Sequence, residues 1–250
     1  MTQTQNDEDF PKSHTVNRAY INWKDWDESK FGSFTELDAL YFFQELKSAG
    51  VILNSNLKIL EIGFGNGVFA GWAKANGFDY LGTEINPELV QRAGKQGISA
   101  IASTADLRDI LSQKTFDAIV SFDVIEHLSL NDIIKLLEQI HCLLKAGGVF
   151  IARIPSGDSP FSGPLKYGDI THRTILGSGA ISQLAAMTGF DLVQVRSPVL
   201  PVRNIGMLRA LRRIGVILVQ KIVGKLIRVA FQDNRRSVIS SNMIFVFRVN

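Results

Sequence analysis

Three glycines at every second position, Gly63, Gly65 and Gly67, follow the apolar run Lys58-Ile59-Leu60-Glu61-Ile62, which carries a single carboxylate. A buried strand has this length and branching. Alternate glycines directly after a strand let the backbone turn tightly and approach a ligand with no side chain in between. A helix expected over Val68 to Ala75 aims its first amides at the same place. That chemistry suits a nucleotide-like ligand. Dinucleotide sites read G-x-G-x-x-G, whereas here the third glycine comes one residue early and an acid stands two residues before the first, which leans away from a nicotinamide cofactor. A second acid, Glu84, ends the apolar, β-rich run Asp79-Tyr80-Leu81-Gly82-Thr83-Glu84-Ile85, about 20 residues past the glycines, where a carboxylate can accept both ribose hydroxyls. Asn86-Pro87 then reads as a helix start. A glycine turn that serves only tight packing and a surface glutamate are the plainer alternatives.

Two further stations follow. Ser99-Ala100-Ile101-Ala102 reads as a third strand, followed by Ser103-Thr104-Ala105-Asp106-Leu107, in which Asp106 can also cap a helix over Leu107 to Ser112. Phe116 to Asp123 is a fourth strand with the tail Asp123-Val124-Ile125-Glu126-His127-Leu128. The segment Glu61 to Gly67 resembles motif I, E/D-x-G-x-G-x-G, of the class I methyltransferases that use S-adenosylmethionine. The Asp123 to Leu128 tail is similar to the D-V-I-E-H-L stretch of their ubiquinone-biosynthesis-like branch. This resemblance implies S-adenosylmethionine as cofactor, with its methionine part in the glycine turn, its amino end held through the loop by Glu61 and its ribose on Glu84. It implies that Asp106 meets the exocyclic amine of the adenine and the Leu107 amide a ring nitrogen. Phe64, Ile85, Phe122 and Asp123 are the remaining expected cofactor contacts.

Methyl transfer further needs an acceptor held in line with the sulfonium, and an alcohol acceptor needs its proton removed or its oxygen polarised. Glu126, His127 and His172 are the candidate catalytic residues, with Asp123 beside them. In some O-methylating relatives an acid-x-x-Glu-His stretch and a distant histidine gather a divalent metal; Asp123 stands where those carry Glu. His172, in Gly168-Asp169-Ile170-Thr171-His172-Arg173-Thr174, can instead act as a general base near neutral pH, or be a loop histidine bonded to backbone. Arg173 can hold an anionic group of the acceptor or pair with Asp169.

The elements that must position these residues alternate strand and helix from Lys58 to Pro155, which implies right-handed crossovers and a parallel sheet with ligands at the strands' carboxyl ends. Gly147 to Pro155 reads as a fifth strand, Ala180 to Gly189 as a helix, Phe190 to Val195 as a sixth strand and Asn242 to Arg248 as a seventh. The resemblance implies that this last strand runs antiparallel to the others. The expected fold is therefore α/β and Rossmann-like: a seven-stranded, mostly parallel sheet with an N-terminal helical lid and a helical insertion before the last strand. The expected division is a cap over residues 1–52, a core over 53–198, an insertion over 199–241 and the final strand over 242–250. The cap holds Tyr20, Trp23, Trp26, Phe31, Phe34, Tyr41, Phe42 and Phe43, which pack or help lid the pocket.

At 250 residues, 46% hydrophobic and 20% charged, the chain can bury a substantial core. Its single cysteine, Cys142, placed on the apolar face of a helix over Leu130 to Lys145, excludes a disulfide scaffold. The polar, acidic Met1 to Asp7 resembles neither a signal nor a transit peptide, so a cytoplasmic protein is expected. Charge is uneven. Between Val199 and Arg236 lie nine basic residues (Arg203, Arg209, Arg212, Arg213, Lys221, Lys225, Arg228, Arg235, Arg236) and one acid, Asp233, while the remainder holds 18 basic and 23 acidic residues. Leu208, Leu211, Ile214, Ile217, Leu218, Ile222, Leu226 and Ile227 interleave with these cations at spacings that put an apolar face beside a cationic one on one or two helices. Such a segment can lie on an anionic membrane surface or pack against this protein or a second copy. Nucleic acid is disfavoured because no aromatics interleave. Enzymes with this core, the His-Arg loop and a late basic insertion resemble those of bacterial surface-polysaccharide and lipid-linked glycan pathways. The expectation is an S-adenosylmethionine-dependent methyltransferase acting on an oxygen of a sugar, sugar nucleotide or lipid-linked glycan. The alternatives are a quinone-pathway-like small-molecule methyltransferase, a nicotinamide oxidoreductase, or a catalytically silent cofactor-binding protein.

Overall fold

A computed structural model of the chain describes residues 18–103, 106–111, 115–203, 205–230 and 237–250, with the side chains of Ile110 and Arg228 left aside. The expectations for residues 1–17, for Thr104, Ala105 and Ser112, for the Arg228 side chain and for Asp233, Arg235 and Arg236 fall outside the described residues.

In chain order the elements are α1 (Arg18–Trp23), α2 (Glu36–Ser48), β1 (Lys58–Ile62), α3 (Val68–Ala75), β2 (Asp79–Glu84), α4 (Pro87–Lys95), β3 (Ala100–Ala102), α5 (Leu107–Leu111), β4 (Phe116–Phe122), α6 (Leu130–Leu143), β5 (Leu144–Pro155), α7 (Gly163–Tyr167), α8 (Ser178–Met187), β6 (Asp191–Arg196), α9 (Met207–Ala230) and β7 (Asn242–Arg248). The seven strands form one sheet in the order β3-β2-β1-β4-β5-β7-β6. β1 to β5 pair in parallel, and β7 pairs antiparallel with both β5 and β6, so β6 points the same way as β5. The reversal of strand order at β1/β4 puts a crevice at the carboxyl ends of those two strands, where α/β sheets hold their ligands.

Because side chains alternate along each strand, the sheet divides the core in two. Leu60, Ile119, Phe150, Phe245 and Phe247 face α6 and α8, where Leu137, Ile140, Ile181 and Leu184 cover them. Ile59, Val120, Ile151 and Val246 face α2, α3 and α4, with Phe42, Leu46, Phe69, Trp72 and Leu89 above them. Local signals set the helix starts: Thr35 and Asp38 close a capping box at α2, and Asn86 accepts from the Glu88 amide ahead of Pro87 at α4.

Several boundaries differ from expectation. β5 begins three residues before the double glycine, at Leu144, because Leu144 pairs with Phe116 across an irregularity in β4. α6 therefore ends at Leu143, and Cys142 is exposed rather than on the apolar face: Ile133, Leu137 and Ile140 are the buried stripe, and a residue two places after Ile140 points away from it. The insertion is one helix, α9, unbroken at Gly215 and Gly224. Among the described residues no helix is long and apolar enough to cross a membrane. The root of the insertion is fixed to α2, where the buried Glu45 carboxylate pairs with Arg196 at 2.7 Å and accepts from the Val199 amide at 2.6 Å.

Candidate functional site

The glycine turn leaves β1 with Gly63, Gly65 and Gly67 all in the left-handed region. A β-carbon on Gly63 would lie 2.6 Å from the Val124 side chain, so only glycine fits there. The amides of Gly63 and Phe64 donate to the Thr83 carbonyl at 2.8 and 3.2 Å, which ties the turn to the end of β2. There Glu84 accepts from three amides: Ile85 (2.8 Å) and Asn86 (3.1 Å) on Oε1 and Gly65 (3.0 Å) on Oε2. Burial raises its pKa, and the three amides oppose that. A carboxylate has about four acceptor positions, so one remains for a ribose hydroxyl, and a second requires an amide to let go. Glu61 lies buried beneath the turn, where the Tyr80 hydroxyl donates to it at 2.6 Å. Burial pushes its pKa up to about 8; the Tyr80 bond opposes this and the Glu84 charge adds to it.

The segment after α1 lies over this turn. The Trp26 indole stands 3.1 Å from where a β-carbon on Gly65 would be, the Trp26 carbonyl accepts from Arg92 at 2.8 Å, and the Gly32 amide donates to the Asn66 carbonyl at 2.9 Å. Phe31 meets Phe64 edge to face, and the Gly32 carbonyl sits against Gly71 so closely that a β-carbon there would lie 1.8 Å from it. Of the N-terminal aromatics, Trp26 and Phe31 thus pack over the turn. Trp23, Phe34 and Phe43 remain exposed.

On the expected adenine side, Asp106 caps its own helix: its carboxylate accepts from the Arg108 amide at 2.9 Å and from the Arg108 guanidinium at 2.6 Å. Arg108 also holds the Asp106 pKa below its ordinary value. The Leu107 amide donates to Gln139 Oε1 at 3.1 Å. Phe122 packs among Tyr41, Phe42 and Phe69, Ile85 is partly exposed, and Phe64 is buried. Asp123 adopts a left-handed backbone and forms a two-pronged pair with Arg153, at 2.9 and 2.5 Å. Sequence reasoning did not single out Arg153, a lone cation at the carboxyl end of a buried strand.

The acceptor-side candidates come together. Glu126, His127 and His172 each offer a donor atom within 4.8 Å of the others. The loop holding His172 is pinned to the turn after β4 because the amides of Arg173 and Thr174 both donate to the Glu126 carbonyl, at 2.8 and 3.1 Å. The Glu126 side chain is almost fully buried, and among the described residues neither oxygen has a hydrogen-bond partner. Burial holds its pKa well above the carboxylate range, with the Asp123 charge second and only weak relief from its own amide, Arg153 and Lys24.

Both histidines are oriented through Nδ1. Thr171 Oγ1 lies 2.5 Å from Asp169 Oδ1 and 2.8 Å from His127 Nδ1. Because the carboxylate can only accept, Thr171 donates to it and accepts from the His127 Nδ1–H, which leaves Nε2 of the neutral ring as a lone pair. His172 Nδ1 lies 3.2 Å from the Lys166 carbonyl, another pure acceptor, so its Nε2 is likewise a lone pair. Burial and then the neighbouring His172 lower the His127 pKa to about 4. Asp169 is held at about 2, where bonds from Thr171 and Lys24 outweigh its burial. Its ionic partner is Lys24, at 3.1 Å, not Arg173. Arg173 is exposed, and the N-terminal segment reaches Asp169 first, with Tyr20 also edge-on to the His127 ring. Thr171 and Lys24 went unnoticed in the sequence, where no local pattern marks them.

Two carboxylates and two imidazoles thus flank the crevice at the β1/β4 switch. The glycine turn and the partly free Glu84 fit a nucleoside ligand with a short polar tail. The Glu126 group offers three lone-pair donors with Nδ1 partners already set, the arrangement typical of ligands for a divalent ion.

Residues 12–195 match the family model described as a methyltransferase domain. No curated protein matches the sequence. Solved structures with the same fold include an S-adenosylmethionine-dependent methyltransferase from Archaeoglobus fulgidus (TM-score 0.62, 16% identity, 93% of this chain and 100% of that one). Two others, each an S-adenosylmethionine-dependent methyltransferase, are from Mesorhizobium loti (0.53, 18%, 85% and 99%) and Clostridium acetobutylicum (0.53, 12%, 92% and 95%).

Proposed function

The chain belongs to the methyltransferase-domain family and is an S-adenosylmethionine-dependent methyltransferase, and from that premise we propose that it methylates a hydroxyl of a sugar, sugar nucleotide or lipid-linked glycan from the cytoplasmic side. The observation that carries an oxygen acceptor is the Glu126 carboxylate, unpartnered among the described residues, beside two imidazole lone pairs. An oxygen nucleophile gains most from such a group, because a hydroxyl must shed its proton as the methyl moves.

In this reading Glu61, Gly63, Phe64, Gly65, Gly67, Glu84, Ile85, Asp106, Leu107, Phe122 and Asp123 border the cofactor, which supplies the methyl sulfonium. Glu126, His127 and His172 are the residues that would hold a divalent cation, whose contribution would be to polarise the acceptor hydroxyl. Asp169 and Thr171 keep His127 in the tautomer that turns Nε2 toward the site, and the Lys166 carbonyl does the same for His172. The depressed His127 pKa supports a ligand over a base, since an imidazole at about 4 is neutral but only weakly basic near neutral pH. Exposed Phe161, just before α7, and Tyr167, at its end, lie on the segment that leads to His172 and offer flat rings on which the CH face of a sugar can pack.

A metal-free reaction with His172 as base is the second reading. It is favoured by Asp123, which pairs with Arg153 and leaves three protein donors rather than four. Calorimetry with Mn²⁺ separates the two: binding is expected in the wild type and lost in His172→Ala, with EDTA removing turnover and Mg²⁺ or Mn²⁺ restoring it. Absence of Mn²⁺ binding together with full activity in EDTA sinks the metal. Methyl transfer to fractionated glycolipids, compared with quinone precursors, tests the acceptor, and labelling of the quinones alone rejects the glycan.

A further inference from the structure

α9 carries six cations and no acid in 24 residues. At 3.6 residues per turn, Leu208, Leu211, Leu218, Val219, Ile222, Leu226 and Val229 fall within a sector of about 100°. All seven are exposed, Leu208 at 81% and Val229 at 72%. The less exposed residues Ala210, Arg213, Ile217, Val223, Gly224 and Ile227 lie on the other side, so one mostly apolar side turns toward the protein while a second apolar face points outward. Arg212 and Lys225 border that face, and Lys221 lies one step beyond. Near its first turn, a cleft of about 510 Å³ lined by Thr35, Glu36, Ile205 and Arg209 opens between the helix root and α2.

Three occupants could cover such a face, and charge decides among them. A second copy of α9 would set six cations against six with no acid to pair them, which opposes self-association. A neutral apolar partner would leave the bordering cations unanswered. An anionic bilayer matches both properties: side chains of this size enter the acyl boundary while arginine and lysine stems reach back to the headgroups.

Topology says where that contact would lie. β5 and β6 point the same way, so the loop carrying His172 and the insertion carrying α9 leave the sheet at one edge. The return from the insertion is tied to that loop: Ser156 and Ser159 donate to the carbonyls of Val238 and Ile239 at 2.7 and 2.6 Å. We propose that α9 docks in the plane of an anionic membrane surface through its Leu208–Val229 face, which holds the acceptor edge of the enzyme at the lipid headgroups. The inference stands on the helix alone and holds whichever acceptor is methylated.

Flotation of the full chain with vesicles tests it. Recovery is expected with mixed phosphatidylglycerol and phosphatidylcholine and not with phosphatidylcholine alone, with binding fading as salt screens the cations. The pair Leu218→Asn and Ile222→Asn, and separately the set Arg209→Gln, Arg212→Gln and Lys225→Gln, should each cut the bound fraction by about tenfold or more. Affinity for S-adenosylhomocysteine should stay unchanged in both, which confirms the fold. No recovery with the anionic vesicles overturns the proposal. So does flotation of the Leu218/Ile222 variant at the wild-type level, or a dimer in sedimentation that this variant dissociates, since the face then belongs to a second copy.

Discussion

Glu84 and Glu126 are both almost fully buried, and both stand at the carboxyl end of the sheet, yet Glu84 accepts three backbone amides and Glu126 has no hydrogen-bond partner among the described residues. The region around Glu84 is built to keep a charge where the chain itself answers it. The region around Glu126 leaves a carboxylate and two imidazole lone pairs facing one another, which the fold tolerates only as a neutral acid or with a cation from outside. The first carboxylate is thus answered from within the chain, and the second is not, among the described residues.

The largest test of that difference is turnover. His127→Ala and His172→Ala are each expected to lower kcat by about 10²- to 10⁴-fold while S-adenosylhomocysteine affinity changes little. Wild-type rates in both would remove the acceptor side from the chemistry. Stability against pH should come next, with opposite signs in the two regions. Glu61 has a folded pKa of about 8, above its ordinary value, so its contribution is full at acid pH and is lost as pH rises from the usual carboxylate range through about 8. His127, depressed to about 4, contributes fully above about pH 6.5 and loses that as pH falls toward 4. At roughly 1.4 kcal/mol per unit, upper figures are about 5 kcal/mol for Glu61 and about 3.5 kcal/mol for His127. Thermal melts should show the alkaline limb flattened in Glu61→Gln and the acid limb flattened in His127→Gln. Unchanged limbs would mean that neither group differs between folded and unfolded states.

Smaller effects sharpen the carboxylate pair itself. Glu84→Ala removes an acceptor of charge-assisted bonds worth roughly 1.5–3 kcal/mol, so S-adenosylhomocysteine should bind about tenfold or more weakly in calorimetry. Glu126→Gln should leave the melting of metal-free protein within about 1 kcal/mol of wild type, because burial favours the neutral acid there, while abolishing any rise in melting temperature produced by Mn²⁺. A large loss of stability in the metal-free Glu126→Gln variant would show that the carboxylate is answered by a group outside the described residues.

The parts readable from sequence are those that local pattern dictates. Gly63, Gly65 and Gly67 mark a turn by themselves, β-rich runs ended by Glu84 and Asp123 mark strands, and Asn242 to Arg248 forms the antiparallel strand that the resemblance implied. Contacts between distant residues left no trace: Thr171 meets His127 across 44 positions, and Asp169 finds Lys24 rather than the nearby Arg173 because α1 folds back over the crevice. Cys142 was placed on the wrong face because the end of a helix, where one residue rotates the reading by about 100°, is its least determined part. Glu126 was found by its motif, but its lack of a partner is a property of packing alone.

Trp26 above Gly65 has a consequence for how ligand exchange can be watched. The indole stands against Gly65 and its carbonyl is tied to Arg92, so any ligand seated on the glycine turn would change the polarity and contacts around that ring. Of the three tryptophans, Trp72 is buried in the core and Trp23 is exposed to solvent, which leaves Trp26 as the chromophore poised at the turn. In a Trp23→Phe background, intrinsic fluorescence becomes a built-in optical gauge of the lid, able to time cofactor entry and product release without any label.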